Sequence, residues 1–174
     1  MGIFKYLVVM LVLCGVTCFL VLDKIPSIYG SSYGSGEVLG KHLSLSMRTI
    51  NGEILNIDSF KGKVVLIKFW ATWSTPCIME LEELKKVYKE YGDNLVVITI
   101  AIDKDMKRVR NFIERNNIKW FVVIDHDDTY LKTFDVDELP TIILLNKEGR
   151  VVSKLTGYQP YKLLREYIDA LARE

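Results

Sequence analysis
The first pattern along the chain is an unbroken apolar one. Tyr6 to Leu22 carries no charged residue, at the short end of the roughly 17–25 residues that span a bilayer. Met1 to Lys5 gives a small positive flank and Asp23-Lys24 sums to zero. The positive-inside rule therefore places the amino terminus in the cytoplasm and the rest outside. Val16-Thr17-Cys18-Phe19 offers no small-x-small cleavage site and leads into more apolar residues. Neither Cys14, after Leu13, nor Cys18, after Thr17, has the small preceding residue of a lipoprotein site. The expectation is one uncleaved transmembrane signal anchor over 1–22; a cleaved signal peptide and a buried core helix are the competing readings. Ser27 to Gly36 is rich in Gly and Ser, so residues 23–42 read as a flexible linker.

From residue 43 to 174 the pattern is that of one soluble domain. Leu43–Ile50, Asn51-Gly52 and Glu53–Ile57 read as a β-hairpin, because Asn-Gly suits a two-residue turn. Val64–Trp70 is a buried-strand run interrupted by Lys68. Pro76–Tyr91 is predicted helical, with Cys77, Leu81, Leu84, Tyr88 and Tyr91 on one stripe and Gly92 at its end. Leu95–Ile102 is a second buried strand. Asp105–Asn116 is a polar helix with Val109, Phe112 and Ile113 inward. Phe121–Ile124 is a short strand and Asp128–Phe134 a helical turn. Thr141–Leu145 and Arg150–Leu155 form a second hairpin around Asn146–Gly149. Pro160–Ala172 closes as an amphipathic helix. The order ββ, βαβαβ(α), ββα predicts an α/β sandwich with a mixed sheet and helices on both faces.

Composition narrows the chemistry. Of 174 residues, 23 are basic and 22 acidic, for a net charge of +1; this leaves no electrostatic footprint for nucleic acid. The charged share of 26% and only four prolines exclude a disordered chain. The three cysteines are Cys14, Cys18 and Cys77. Two lie in the expected anchor, so the domain holds one thiol. His42 and His126 sit in predicted loops. Asp125, Asp127 and Asp128 read as a solvated turn and helix cap. No metal and no cofactor is expected.

The chemistry concentrates where a buried strand meets a helix, at Phe69-Trp70-Ala71-Thr72-Trp73-Ser74-Thr75-Pro76-Cys77, with Leu139-Pro140-Thr141 much later, just before a strand. With the Asn-Gly hairpin, Asp125–Val136 and the Asn146–Val152 turn, these segments resemble the thioredoxin-like superfamily. Within it they resemble the TlpA/ResA-like membrane-anchored thiol–disulfide oxidoreductases. The resemblance covers nearly the whole soluble part. It implies a three-layer sandwich with an added N-terminal hairpin and a cis Leu139-Pro140 bond. It also implies action on protein thiols and disulfides of the cell envelope, apocytochrome c among them, with an external thiol as reductant. One departure matters: the family has Cys-x-x-Cys, and here Ser74 stands at the first cysteine. A serine hydroxyl forms no disulfide and is far less nucleophilic than a thiolate. Dithiol exchange within this site is excluded, leaving a monothiol form.

Cys77, Ser74, Glu80 and Lys68 are the candidate catalytic residues. Cys77 lies in a helix's first turn, where free amides favour a thiolate; the competing reading is an inert core thiol. Lys68 stands where thioredoxins place a buried acid, and would favour the thiolate; otherwise it snorkels from a sheet edge. Glu80 matches a glutamate to which the resemblance gives a proton-transfer role, or is only a first-turn charge. Ser74, three residues before Cys77, matches the Thr or Ser of peroxiredoxins, whose preceding proline is replaced here by Trp70. Trp73, Thr75, Pro76, Leu139 and Pro140 are the expected substrate-binding edge. A thiol peroxidase and a non-catalytic client-binding module are the alternative functions.

Overall fold
The computed structural model describes residues 38–173. The expected anchor, and the expected linker up to residue 37, lie outside the described residues. Among the described residues no helix is long and apolar enough to cross a membrane.

The strands are β1 (Ser46–Arg48), β2 (Ile54–Asn56), β3 (Val64–Trp70), β4 (Leu95–Ala101), β5 (Phe121–Ile124), β6 (Thr141–Leu145) and β7 (Val151–Thr156). The helices are α1 (Thr75–Tyr91), α2 (Met106–Arg115), α3 (Thr129–Thr133) and α4 (Tyr161–Arg173). A five-stranded sheet runs β5-β4-β3-β6-β7, and β1 pairs with β2 in a separate ribbon. β3, β4 and β5 are parallel, while β6 runs antiparallel to both β3 and β7. This is the mixed sheet that the alternation of patterns predicts.

Every residue of β3 and β4 is buried, because both sheet faces are covered. Alternate side chains feed two cores. Leu66, Trp70, Val97, Ala101, Ile142 and Leu144 pack with Cys77, Leu81 and Leu84 of α1, Val109 of α2, and Leu164 and Ile168 of α4. Ile67, Phe69, Ile98, Ile100 and Ile143 pack on the other face with Met47, Leu55, Ile57 and Phe134. The β1–β2 ribbon and α3 therefore form the third layer.

Two expectations change at the domain's start. The hairpin is shorter than its pattern, and its loop is wider than two residues: Thr49 N donates to Glu53 O at 2.8 Å and Gly52 N to Thr49 O at 2.9 Å. The free edge of β5 captures the end of the expected strand, since Ile50 N donates to Val122 O at 2.7 Å and Thr49 bridges Val123. Residues 38–42, assigned to the linker by composition, lie on the domain. Val38 is buried, Gly40 N donates to Val151 O (2.8 Å) and Val151 N to Lys41 O (3.0 Å). The cause is the same: an open strand edge holds unpaired amide and carbonyl groups that a neighbouring chain segment satisfies.

Candidate active site
The site forms where the parallel strands end. β3 stops at Trp70, and the loop Ala71–Ser74 turns the chain into α1. Asp103, two residues past β4, fixes that loop. One carboxylate oxygen accepts from Thr72 N (2.9 Å) and the other from Thr72 Oγ1 (2.5 Å). Ser74 is the N-cap of α1; its carbonyl accepts from Ile78 N at 3.1 Å, and its side chain makes no cap bond. Pro76 sits in the first turn, where its missing N–H removes no helical bond.

Presentation to solvent divides the candidates. Trp73 is 60% exposed, and Thr75 and Pro76 are exposed beside it. Cys77 is 0% exposed and packs among Trp70, Leu81 and their neighbours. Ser74 is nearly buried. The Leu139-Pro140 peptide is cis. The pairing of Phe69 with Thr141 brings Pro140 level with Trp70, at the root of the site loop. Pro140 is buried and Leu139 half-buried.

Lys68 corrects one expectation. It lies in the central strand, not at an edge, and is fully buried. Its Nζ donates to Glu80 Oε2 as a buried ion pair. Glu80 is likewise fully buried, so it is not a surface first-turn charge. Its other oxygen accepts from Gln159 N at 2.6 Å. Burial pushes the Lys68 ammonium below its ordinary range, and the Glu80 charge opposes that shift. Burial pushes the Glu80 carboxyl up, opposed by Lys68 and by the Gln159 amide. The loop carrying Gln159 also reaches the proline edge, since Gly157 N donates to Pro140 O at 2.8 Å.

The structure thus joins Lys68, Glu80 and Cys77 beneath the first turns of α1, with Trp73, Thr75 and Pro76 above. Two contributors were missed in the sequence. Asp103 left a faint signal, as an acid just past an apolar strand end. Gln159 left none, because it acts through its backbone. Asp103→Ala is expected to cost about 1–3 kcal/mol, by leaving the Thr72 amide and hydroxyl without their buried acceptor. A lowered urea midpoint with unchanged slope checks this.

Residues 24–169 match the family model described as Redoxin. The thiol-disulfide oxidoreductase ResA of Bacillus thuringiensis subsp. konkukian is 30% identical over 166 residues, covering 94% of this chain and 93% of that protein. Its namesake from Bacillus cereus is 35% identical over 124 residues, covering 70% and 71%. StoA from Bacillus subtilis superposes with a TM-score of 0.64 at 26% identity, covering 74% of this chain and 98% of that structure. The strand-to-helix site, the cis proline and these likenesses agree: the chain belongs to the Redoxin family of thioredoxin-like proteins, in its ResA-like group.

Proposed function
We propose that this chain is a membrane-anchored, extracytoplasmic oxidoreductase-type protein that acts on thiols and disulfides of envelope proteins through Cys77 alone. The observation that carries this reading is the placement of Cys77. It is the one cysteine among the described residues, held in the first turn of α1 next to an exposed tryptophan and the cis-proline edge. Residues 1–22 serve as the anchor, and the Gly/Ser-rich stretch up to residue 37 as the linker. The names of the ResA relatives support the reaction class.

The chemistry follows from having one thiol. The Cys77 thiolate attacks one sulfur of a client disulfide. A Cys77–client mixed disulfide forms, and the second client sulfur leaves as a thiolate. An external thiolate then attacks the client sulfur, forms a new disulfide with it and returns Cys77 as thiolate. Trp73, Thr75, Pro76, Leu139 and Pro140 hold the client backbone. Since Cys77 is covered, the first turn of α1 must open for attack; helix ends fray at modest free-energy cost. Ser74 lines the route as a hydroxyl donor.

The test is capture of a disulfide-bonded peptide by the full-length chain with Cys14→Ser and Cys18→Ser. The expected result is a mixed disulfide on Cys77, slowed about tenfold by Trp73→Ala, the size of effect lost with a well-placed aromatic contact, with little change toward a small disulfide. No adduct under any redox condition contradicts the reading. The complete burial of Cys77 favours one second reading, a client-holding module without exchange. In that case Cys77→Ala binds reduced peptide as the parent does, and no adduct forms.

A further inference from the structure
We propose that the end of the domain opposite the active site docks on the surface of an anionic phospholipid bilayer, so that the site faces away from the membrane. The inference rests on the proposed anchoring through residues 1–22. It adds to that anchor an electrostatic contact and an orientation.

The sheet has two unlike ends. β3 and β4 start side by side at Val64 and Leu95. β6 ends and β7 begins at the same level, because Leu145 pairs with both Val65 and Val151. The active site lies at the other end of these strands, about 20 Å away, the length of a seven-residue strand. The described chain enters at the far end, where Gly40 N donates to Val151 O (2.8 Å) and Leu43 N to Gly149 O (2.9 Å). Residues 23–37 join that point to the expected anchor. A Gly/Ser-rich chain of that length has a root-mean-square reach of about 20 Å. So short a tether keeps the far end close to the bilayer. A weak surface contact then forms at high effective concentration.

Charge divides between the two ends in the sense that a negative surface selects. Lys63, Lys89 and Lys119 frame two adjoining clefts at the far end, which share Tyr88 and Trp120 as their floor. All three lysines are exposed. Among the described residues none of them forms an ion pair, whereas Lys85 and Lys86 on α1 are tied to Glu82 and Glu83. Asp93 is the acid on the cleft rim. Lys41 adds an exposed basic residue where the chain enters. Trp120 meets Tyr88 edge-on with centroids 5.5 Å apart, and its Nε1 donates to Thr99 Oγ1 at 3.2 Å. The floor is therefore fixed from within, and the lysines stand above it. At the site end, residues 125–138 leave β5 and return to β6 with six acidic residues against one lysine. An anionic surface attracts the first end and repels the second. Basic residues near such a surface each add to the attraction, over about a Debye length. An acidic protein would also suit the lysines. The tether, which enters at this same end of the sheet, favours the bilayer.

The test uses the full-length chain with Cys14→Ser, Cys18→Ser and Cys77→Ala. One donor fluorophore is attached through Asn94→Cys at the far end or Asp137→Cys at the site end. The protein is reconstituted into vesicles of phosphatidylcholine, alone or in equal parts with phosphatidylglycerol, containing an acceptor-labelled lipid. With phosphatidylglycerol, energy transfer is expected to be at least about twofold stronger from Asn94→Cys than from Asp137→Cys, because about 20 Å separates the two ends. The contrast is expected to collapse in phosphatidylcholine alone, and in molar salt, where the Debye length is about 3 Å. It is expected to collapse equally when Lys63→Glu, Lys89→Glu and Lys119→Glu are combined. Lys107→Glu, Arg108→Glu and Lys132→Glu together, away from that end, are expected to leave it unchanged. Equal transfer from the two positions overturns the proposal, as does a contrast undiminished by the three far-end reversals. Transfer indifferent to phosphatidylglycerol, the outcome for a face that binds an acidic protein, overturns it too. A chain that does not float with the vesicles overturns the anchor reading and this inference with it. A chain that floats but shows equal transfer overturns this inference alone.

Discussion

Replacing Lys68 by Met is expected to destabilise the folded chain by about 3–5 kcal/mol at neutral pH. The side chain is fully buried in the central strand. Its removal leaves Glu80, equally buried, with only the Gln159 amide. A buried charge without its partner loses its water and gains nothing in return. The loss depends on pH in a defined direction. The Glu80 carboxyl is already held above its ordinary value of 4.5, first by burial. A raised carboxyl contributes stability that is fully present below the unfolded value and lost as pH rises through the folded value. Without Lys68 the folded value climbs further. The gap between variant and parent is therefore widest at high pH and narrows as pH falls through the raised folded value of Glu80, where the carboxyl takes up a proton. Lys68→Met combined with Glu80→Leu removes both charges and is expected to recover most of the loss. Urea unfolding at neutral and acidic pH checks both statements; a gap that does not depend on pH would point to packing alone.

Ser74→Cys is expected to produce the largest gain of activity. The substitution restores two thiols three residues apart at the start of α1. The new thiol would occupy the N-cap of α1, beside exposed Trp73 and Thr75. Helix starts and neighbouring cations depress thiol pKa values into the range of roughly 3.5–7.5. At pH 7 that converts a few per cent of thiolate into about half or more, at least about a tenfold gain over a free cysteine. Insulin-type disulfide reduction with a small dithiol donor is expected to run at least about tenfold faster with Ser74→Cys than with the parent, whose one thiol is covered. Adding Cys77→Ala to Ser74→Cys is expected to slow turnover and accumulate the mixed disulfide, because its resolution is left to the external thiol. If Ser74→Cys remains inactive although folded, the site loop does not present position 74 to substrate.

The sheet was legible because its two periodicities are clean. Val64–Trp70 and Leu95–Ala101 are buried on both faces and read as apolar runs, and α1 shows its stripe through Cys77, Leu81 and Leu84. The cis Leu139-Pro140 bond was expected from the family resemblance and is present. The breadth of the β1–β2 loop and the docking of residues 38–42 were not legible. Both depend on strand edges that are distant in sequence, β5 for Ile50 and β7 for Gly40. At the site, residue types revealed Cys77, Ser74 and Trp73. The Lys68–Glu80 pair needed the structure, because the sequence could not say that a lysine in an apolar run faces a particular helix. Asp103 and Gln159 acquire their roles only through contacts across 31 and 79 residues of chain.

The central claim is that Cys77, though covered, does thiol chemistry from the folded state. The most direct measurement is the rate of Cys77 modification by a neutral thiol reagent at neutral pH, in the full-length chain with Cys14→Ser and Cys18→Ser, set against the global unfolding rate of the same protein. Modification well faster than unfolding is predicted, because opening of the first turn of α1 suffices. Modification no faster than unfolding would contradict the account and make Cys77 an inert core thiol.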